Sequence, residues 1–259
     1  MDLELSGQTA LVTGASRGIG YAIAQGLARE GCHLQLAARS AADLDAARAR
    51  LSQESQVRIT THSLDLGRSE NIDRLADACK DVDILINNAG AVPTGGLLDV
   101  DEARWREGWD LKVFGTINLT RRLYAPMRER RRGVIINVIG VSGERMRGNY
   151  LAGSSGNAAL MAFSRALGGE SVDFGVRVVG VNPGQVDTDR SRSRYEARAH
   201  KELGDAERWR ELIPHPPLGR LARPDEIADT VLYLASARAS YISGTIVTVD
   251  GGRAVRNRD

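Results

Sequence analysis

Two rhythms of apolar residues alternate along this chain. Short, nearly continuous runs fall at 9–13, 33–38, 57–64, 82–86, 134–139, 176–181 and 245–249, the length and character of buried strands. Most intervals between them carry helical spacing, at 19–30, 41–53, 69–80, 103–130, 154–173 and 224–236. Strand and helix alternating almost without interruption predict an α/β fold, a doubly wound parallel sheet with helices on both faces. Ligands on such sheets bind at the carboxyl ends of the strands, near the point where strand order reverses. Three clusters of small or polar residues lie at those ends, 13–20, 87–96 and 182–188.

Composition narrows the reading. With 259 residues, 42% of them hydrophobic, the chain can bury a large core as one domain over 1–259. A formal charge of +2 gives no reason to expect nucleic acid, and the six arginines against one glutamate between Arg121 and Arg132 read as a solvated helix end whose cations suit the helix dipole. Cys32 and Cys79 stand alone with no secretory segment before the first strand, so a reduced, cytoplasmic setting is expected. No stretch of about 18 apolar residues predicts a membrane span. The histidines at 33, 62, 200 and 215 are scattered without ligand spacing, and no metal is expected.

Thr13 to Gly20 reads Thr-Gly-Ala-Ser-Arg-Gly-Ile-Gly, between the first strand run and the first helical pattern. Glycines 14, 18 and 20 let the backbone bend and approach a pyrophosphate, and the helix that follows aims free N–H groups at the anion. The spacing is GxxxGxG, so its position after a strand carries more weight than the pattern alone. The occupant it predicts is a dinucleotide. At the end of the second strand, Leu36-Ala37-Ala38-Arg39-Ser40 offers no carboxylate for a ribose 2′-hydroxyl. Arg39 stands there instead, and Arg17 can reach the same place, so a 2′-phosphate, and with it NADP(H) over NAD(H), is favoured.

These motifs, with Asp65 after the third strand, Asn87-Asn88-Ala89-Gly90 after the fourth, Asn182-Pro183-Gly184 with Thr188 after the sixth, and Val249-Asp250-Gly251-Gly252 near the end, resemble the short-chain dehydrogenase/reductase family over nearly the full length. The resemblance implies a single Rossmann-type domain, with a cofactor-binding part at about 1–185 and a substrate lid at about 187–219. It implies cofactor contacts from Gly14, Ser16, Arg17, Gly18, Ile19, Gly20, Arg39, Asp65, Leu66, Asn88, Ala89, Gly90, Asn157, Pro183, Gly184, Val186 and Thr188. Asp65 would bond the adenine amino group, Asn88 to Gly90 would line the ribose, and Val186 and Thr188 would hold the carboxamide. Asn87 also reads as a tie between strands through buried side-chain hydrogen bonds. A homo-oligomer, dimer or tetramer, and a small-molecule substrate, without nucleic acid or membrane partners, are implied as well. In the lid, arginines including Arg190 and Arg194 would suit an anionic substrate, with Trp209 as a flat apolar contact, against the plainer reading of mixed charge on an amphipathic helix.

The chain departs from the family in its chemistry. Ordinary members carry an Asn, Ser, Tyr and Lys set; counting back without gaps from Pro183, the lysine position is Asn157, the tyrosine position Gly153 and the serine position Gly140. The asparagine position, three residues before Gly115, is Lys112. Lysine and asparagine thus stand exchanged between two helices. A rebuilt site of Tyr150, Lys112, Ser142 and Asn157 is one expectation, Tyr150 moving the proton and Lys112 lowering its pKa. In the plainer alternative Tyr150 is a loop aromatic over the helix start. Ser154 and Ser155 read as helix-cap residues, and Glu144 with Arg145 as an exposed charge pair or, alternatively, a general base. The function expected is a redox enzyme on a small carbonyl or alcohol; the alternatives are a nucleotide-binding sensor or partner subunit without hydride chemistry, and a non-redox proton-transfer enzyme.

Overall fold

β1 (Thr9–Thr13), β2 (His33–Ala38), β3 (Ile59–Ser63), β4 (Ile84–Asn87), β5 (Gly133–Val138), β6 (Val176–Pro183) and β7 (Ile246–Val249) form one sheet. Their order is β3-β2-β1-β4-β5-β6-β7, with β4 in the middle and every pairing parallel. The computed structural model describes residues 2–213 and 215–256. Strand order reverses between β1 and β4, so the carboxyl ends of these two strands diverge into a crevice.

The period-two alternation of a strand divides the core in two. Ala10 and Val12 of β1 face α1 (Gly18–Arg29), α2 (Ala41–Glu54) and α8 (Pro224–Ala235), packing with Ile23, Leu27, Leu44 and Val231. Leu11 faces the other way, toward α3 (Ser69–Ala78) and α5 (Gly115–Glu129), with Ile72, Leu75, Leu119 and Leu123. α6 (Leu151–Glu170) closes that second face near β5, through Leu160 and Met161 against Val113 and Ile139.

The strands and most helices stand where the apolar rhythm predicts. The segment 103–130 differs: it is α4 (Glu102–Trp109), a π-helical turn at Asp110–Phe114 and α5. The Gly115 N–H bonds Asp110 O, an i→i+5 closure that swells the helix around Lys112. α7 (Asp189–Leu203), with the 3₁₀ turn Ala206–Leu212, is a further helix that the rhythm does not reveal, because its side chains are almost all charged or small.

Asn87 ties the strands together. Its Nδ2 donates to Thr120 Oγ1 and Asn137 Oδ1, both at 2.9 Å, and Asn137 passes the chain on to Ser164 Oγ. The arginine run in and after α5 is engaged rather than merely solvated: Arg122 pairs with Asp73, Arg132 with Asp83, and Arg130 donates to Lys80 O and Val82 O.

Candidate active site

The carboxyl ends of β1, β2, β4, β5 and β6 frame a cleft of about 420 Å³. Its floor is the turn between β1 and α1, where Gly14 (φ +64°) and Gly18 (φ +58°) hold left-handed backbone that a side chain would strain. Gly20 lies outside the lining but serves the same turn, since a Cβ there would overlap Gly14 O. α1 begins at this turn with no side-chain cap and no acidic residue in its first turn, leaving its N–H groups and dipole for an anion. Thr13 Oγ1 accepts from the N–H groups of Asn88 and Ala89, and Asn88 Nδ2 donates to Thr13 O and Gly14 O. Asn88 therefore braces the turn as well as lining the cleft.

Of the expected cofactor residues, Gly14, Ser16, Arg17, Gly18, Ile19, Arg39, Leu66, Asn88, Ala89, Gly90, Pro183, Gly184 and Thr188 line the cleft. Asp65 does not: its Oδ1 accepts from Gly67 N, and Leu64 and Leu66 form the wall. Val186 is buried and paired with Ala222 through backbone, and Thr188 caps α7 by accepting from Ser191 N. Asn157 is buried beside the cleft and outside its lining. At the β2 end stand Arg17 and Arg39, neither paired with a carboxylate among the described residues, with Asp43 nearby in the wall.

The opposite end holds Lys112, Gly140, Gly153 and Asn157, where counting along the chain places the family's set. Lys112 leans on Gly90, whose Cβ, if present, would meet Lys112 Cδ at 3.1 Å, and Nζ donates to Ile139 O at 2.7 Å. Burial, reinforced by the Arg190 charge, lowers this ammonium to about 8. Asn157 Nδ2 donates to the next carbonyl, Gly140 O, at 3.2 Å and to Ser142 Oγ at 2.7 Å. Lys112 and Asn157 therefore hold successive carbonyls at the end of β5. Asn157 Oδ1 is buried without a hydrogen-bond partner among the described residues. Gly140 adopts φ +132°, and a Cβ on it would sit 3.0 Å from Asn157 Nδ2. The amide of Asn157 thus fills the space in front of Gly140.

Tyr150 is the residue before α6, in non-helical backbone, and its ring folds back over Gly153 so that a Cβ at 153 would overlap it. The pairing expected between Tyr150 and Lys112 is not formed. Burial pushes the phenol up, and the charges that partly offset this are Arg194 and Arg190. Lys112 does not act on it.

Other expectations are corrected by packing. α6 starts at Leu151, so Ser154 and Ser155 lie inside the helix: Ser154 Oγ accepts from Arg147 N, and Ser155 Oγ donates to Leu151 O. Glu144 and Arg145 do not pair; Glu144 accepts from Asn182 and Thr248, and Arg145 donates to Arg253 O. Trp209 is buried and stacks on Tyr195, with ring centroids 6.2 Å apart, as core of the lid and not as a substrate contact. Three of the seven lid cations, Arg192, Arg198 and Arg208, pair with Asp187, Glu202 and Glu211. Arg190 stands at the cleft instead, donating to Gly90 O at 2.6 Å. Its lining role was hidden in a charge-rich helix; the signal was its place two residues after Thr188.

Comparison with known proteins agrees with this architecture. A family model described as enoyl-(acyl carrier protein) reductase matches residues 14–254. The chain is 35% identical to galactitol 2-dehydrogenase (L-tagatose-forming) of Cereibacter sphaeroides over 254 residues, 97% of each chain. It is 34% identical to 3-oxoacyl-(acyl-carrier-protein) reductase of Vibrio cholerae over 257 residues, 96% of this chain and 98% of that one. Among solved structures, L-sorbose reductase from Gluconobacter frateurii, complexed with NADPH and L-sorbose, superposes with a TM-score of 0.93 at 32% identity, covering 99% of this chain and 100% of that chain.

Proposed function

This chain belongs to the short-chain dehydrogenase/reductase family, and from that premise we propose that it is an NADP(H)-linked oxidoreductase acting on a small carbonyl compound or its alcohol at a rebuilt active site. The observation that carries the cofactor is the cleft itself: a glycine turn too tight for side chains, an uncapped helix start, and Arg17 with Arg39 where no carboxylate faces a ribose. These residues fit a dinucleotide bearing a 2′-phosphate. Gly14, Gly18 and the start of α1 would hold its pyrophosphate, Arg17 and Arg39 the 2′-phosphate, and Pro183, Gly184 and Thr188 the nicotinamide end. When bound, the nicotinamide supplies or accepts a hydride. NADPH in the L-sorbose reductase complex supports the same preference.

In place of the family's Asn, Ser, Tyr and Lys this chain offers Lys112 in the cleft wall, with Ser142, Asn157 and Tyr150 outside the lining. Lys112 points its ammonium at the cleft wall, Asn157 fixes Gly140 and Ser142, and Tyr150 covers Gly153. The lid over 187–219 brings Arg190 to the same cleft and supports an anionic substrate. One domain spans 1–259, and the family relationship supports a homo-oligomer. A second reading, a nucleotide-binding sensor or partner subunit, is favoured by one observation: no hydroxyl stands at Gly153 or Gly140.

Relatives that act on a polyol, a ketose and a 3-oxoacyl thioester define the substrates to try. Steady-state consumption of NADPH is expected with at least one ketose or 3-oxoacyl thioester, about 10²–10⁴ slower than a site with its acid/base group in the usual place. NADPH bound tightly but never consumed would leave the sensor reading.

A further inference from the structure

We propose that Lys112, and not Tyr150, exchanges the substrate proton in this cleft, its ammonium aimed by the Ile139 carbonyl; the proposal rests on the redox reading above. Lysine is rare in this protein. Of 35 Lys and Arg residues only Lys80, Lys112 and Lys201 are lysines. An arginine would hold a carbonyl or an anion equally well but does not release its proton at working pH, whereas a lysine in a desolvated site does. The cation with an exchangeable proton stands in the cleft wall.

Geometry supports the assignment. The π-turn at Asp110–Phe114 presents Lys112 to the cleft, Gly90 makes room for its stem, and Ile139 O takes one of the three ammonium protons at 2.7 Å. Lys112 forms no ion pair among the described residues. The charged groups around the cleft are Arg190 and Asp189 at the start of α7, Arg17 in the glycine turn, and Arg39 and Asp43 beyond β2; Arg190 is the one that acts on Lys112. Its repulsion and the burial of the ammonium bring the group near 8, where it both gives and takes a proton at working pH. Tyr150 has the opposite character. Its phenol is pushed up, its ring lies over Gly153, and it is outside the cleft lining.

In the reducing direction NADPH would be oxidised and the carbonyl reduced: a C–H bond of the reduced nicotinamide would break as hydride adds to the carbonyl carbon, and the C=O π pair would become a lone pair on oxygen. One N–H bond of the Lys112 ammonium breaks as the new O–H bond forms, leaving a neutral amine that keeps its N–H donation to Ile139 O. Solvent returns the proton. Oxidation of the alcohol runs the same transfers backward, with the neutral amine as base.

The alternative is a structural tie, in which Lys112 only fastens the π-turn to the end of β5. Because the chain has three lysines, full-length protein labelled with [¹³Cε]lysine gives three side-chain signals, and Lys112→Met assigns one of them. The expected midpoint for Lys112 is about 8, with and without NADP⁺, against roughly 10.4 for an exposed lysine. A midpoint above 10 overturns the proposal. With a substrate that oxidises bound NADPH, Lys112→Met and Lys112→Arg are both expected to slow hydride transfer by about 10²–10⁴ while the NADPH dissociation constant stays within about threefold. The parent rate should fall as pH rises through the lysine midpoint, since the ammonium is the acid. Lys112→Arg at full rate, or a larger loss in Tyr150→Phe than in Lys112→Arg, overturns the assignment and leaves the redox reading standing. If bound NADPH is oxidised by no substrate, the redox reading and this proposal fail together.

Discussion

The ring of Tyr150 occupies the space into which a side chain at Gly153 would grow, so these two positions share one volume between them. Adding a tyrosine at 153 while Tyr150 remains is expected to displace the ring and cost stability without restoring a faster reaction. Even Gly153→Ala should destabilise, by roughly 1–3 kcal/mol as overpacking in a close-fitted site. Thermal melts of Gly153→Ala in the parent and in Tyr150→Ala check this. The cost should largely vanish once the ring is gone, and an equal cost in both backgrounds would contradict the shared volume.

Gly140 sets a second barrier to the family's usual chemistry. Its φ of +132° and the Asn157 amide 3.0 Å from an added Cβ make Gly140→Ser strained as well as crowded. The variant is expected to lose about 1–3 kcal/mol and to gain no turnover. Denaturant unfolding, read beside the steady-state rate, tests both halves.

The proposed preference for NADP(H) rests on Arg39 and Arg17. Arg39→Asp should remove a charge-assisted contact and repel a 2′-phosphate, weakening NADPH by roughly tenfold to a hundredfold and bringing NADH level with it or ahead. Fluorescence titration of both nucleotides decides it. Equal affinity for the two in the parent protein would remove the ground for the arginine argument.

Lys112 links stability to pH. Its folded-state value near 8 lies below the roughly 10.4 of an unfolded lysine, so between those values the unfolded chain holds more protons and stability rises with pH. Below about 8 the full cost of the buried ammonium is present. Lys112→Met should therefore be more stable than the parent at pH 7, by about 1–2 kcal/mol after loss of the Ile139 bond, with the advantage shrinking as pH climbs from 8 toward 10.4. Unfolding curves across that range test the sign.

Asn87 carries a purely structural prediction. Its amide bridges Thr120 of α5 and Asn137 of β5, so Asn87→Ala leaves buried polar groups unpaired and should cost about 2–3 kcal/mol with cofactor selectivity unchanged. A melt and a parallel NADPH and NADH titration separate these.

The sheet and the glycine turn were legible because they depend on local rhythm: apolar runs bury as strands, and glycines 14, 18 and 20 mark a turn with left-handed backbone at 14 and 18 and close approach at 14 and 20. Less could be read where tertiary packing decides. The break of 103–130 into α4, a π-turn and α5 has no proline or glycine inside the turn to announce it, and α7 hides in a stretch of charge. Counting along the chain pointed to Lys112, Gly140, Gly153 and Asn157, but it could not give their partners. Lys112 and Tyr150 looked like a pair because both lay near the usual site; the fold gives Lys112 to Ile139 O and sends the Tyr150 ring over Gly153 toward Arg190 and Arg194. Side-chain direction at a strand end and a helix start is set by neighbours distant in sequence.

Hydride transfer in the proposed site is tested most directly in a single turnover, with the protein in excess over NADPH, mixed with L-sorbose or a 3-oxoacyl thioester while nicotinamide absorbance is followed and the alcohol is quantified. Slow, complete loss of the reduced nicotinamide and one alcohol formed per NADPH are expected. NADPH that stays bound and reduced with every substrate would contradict that transfer.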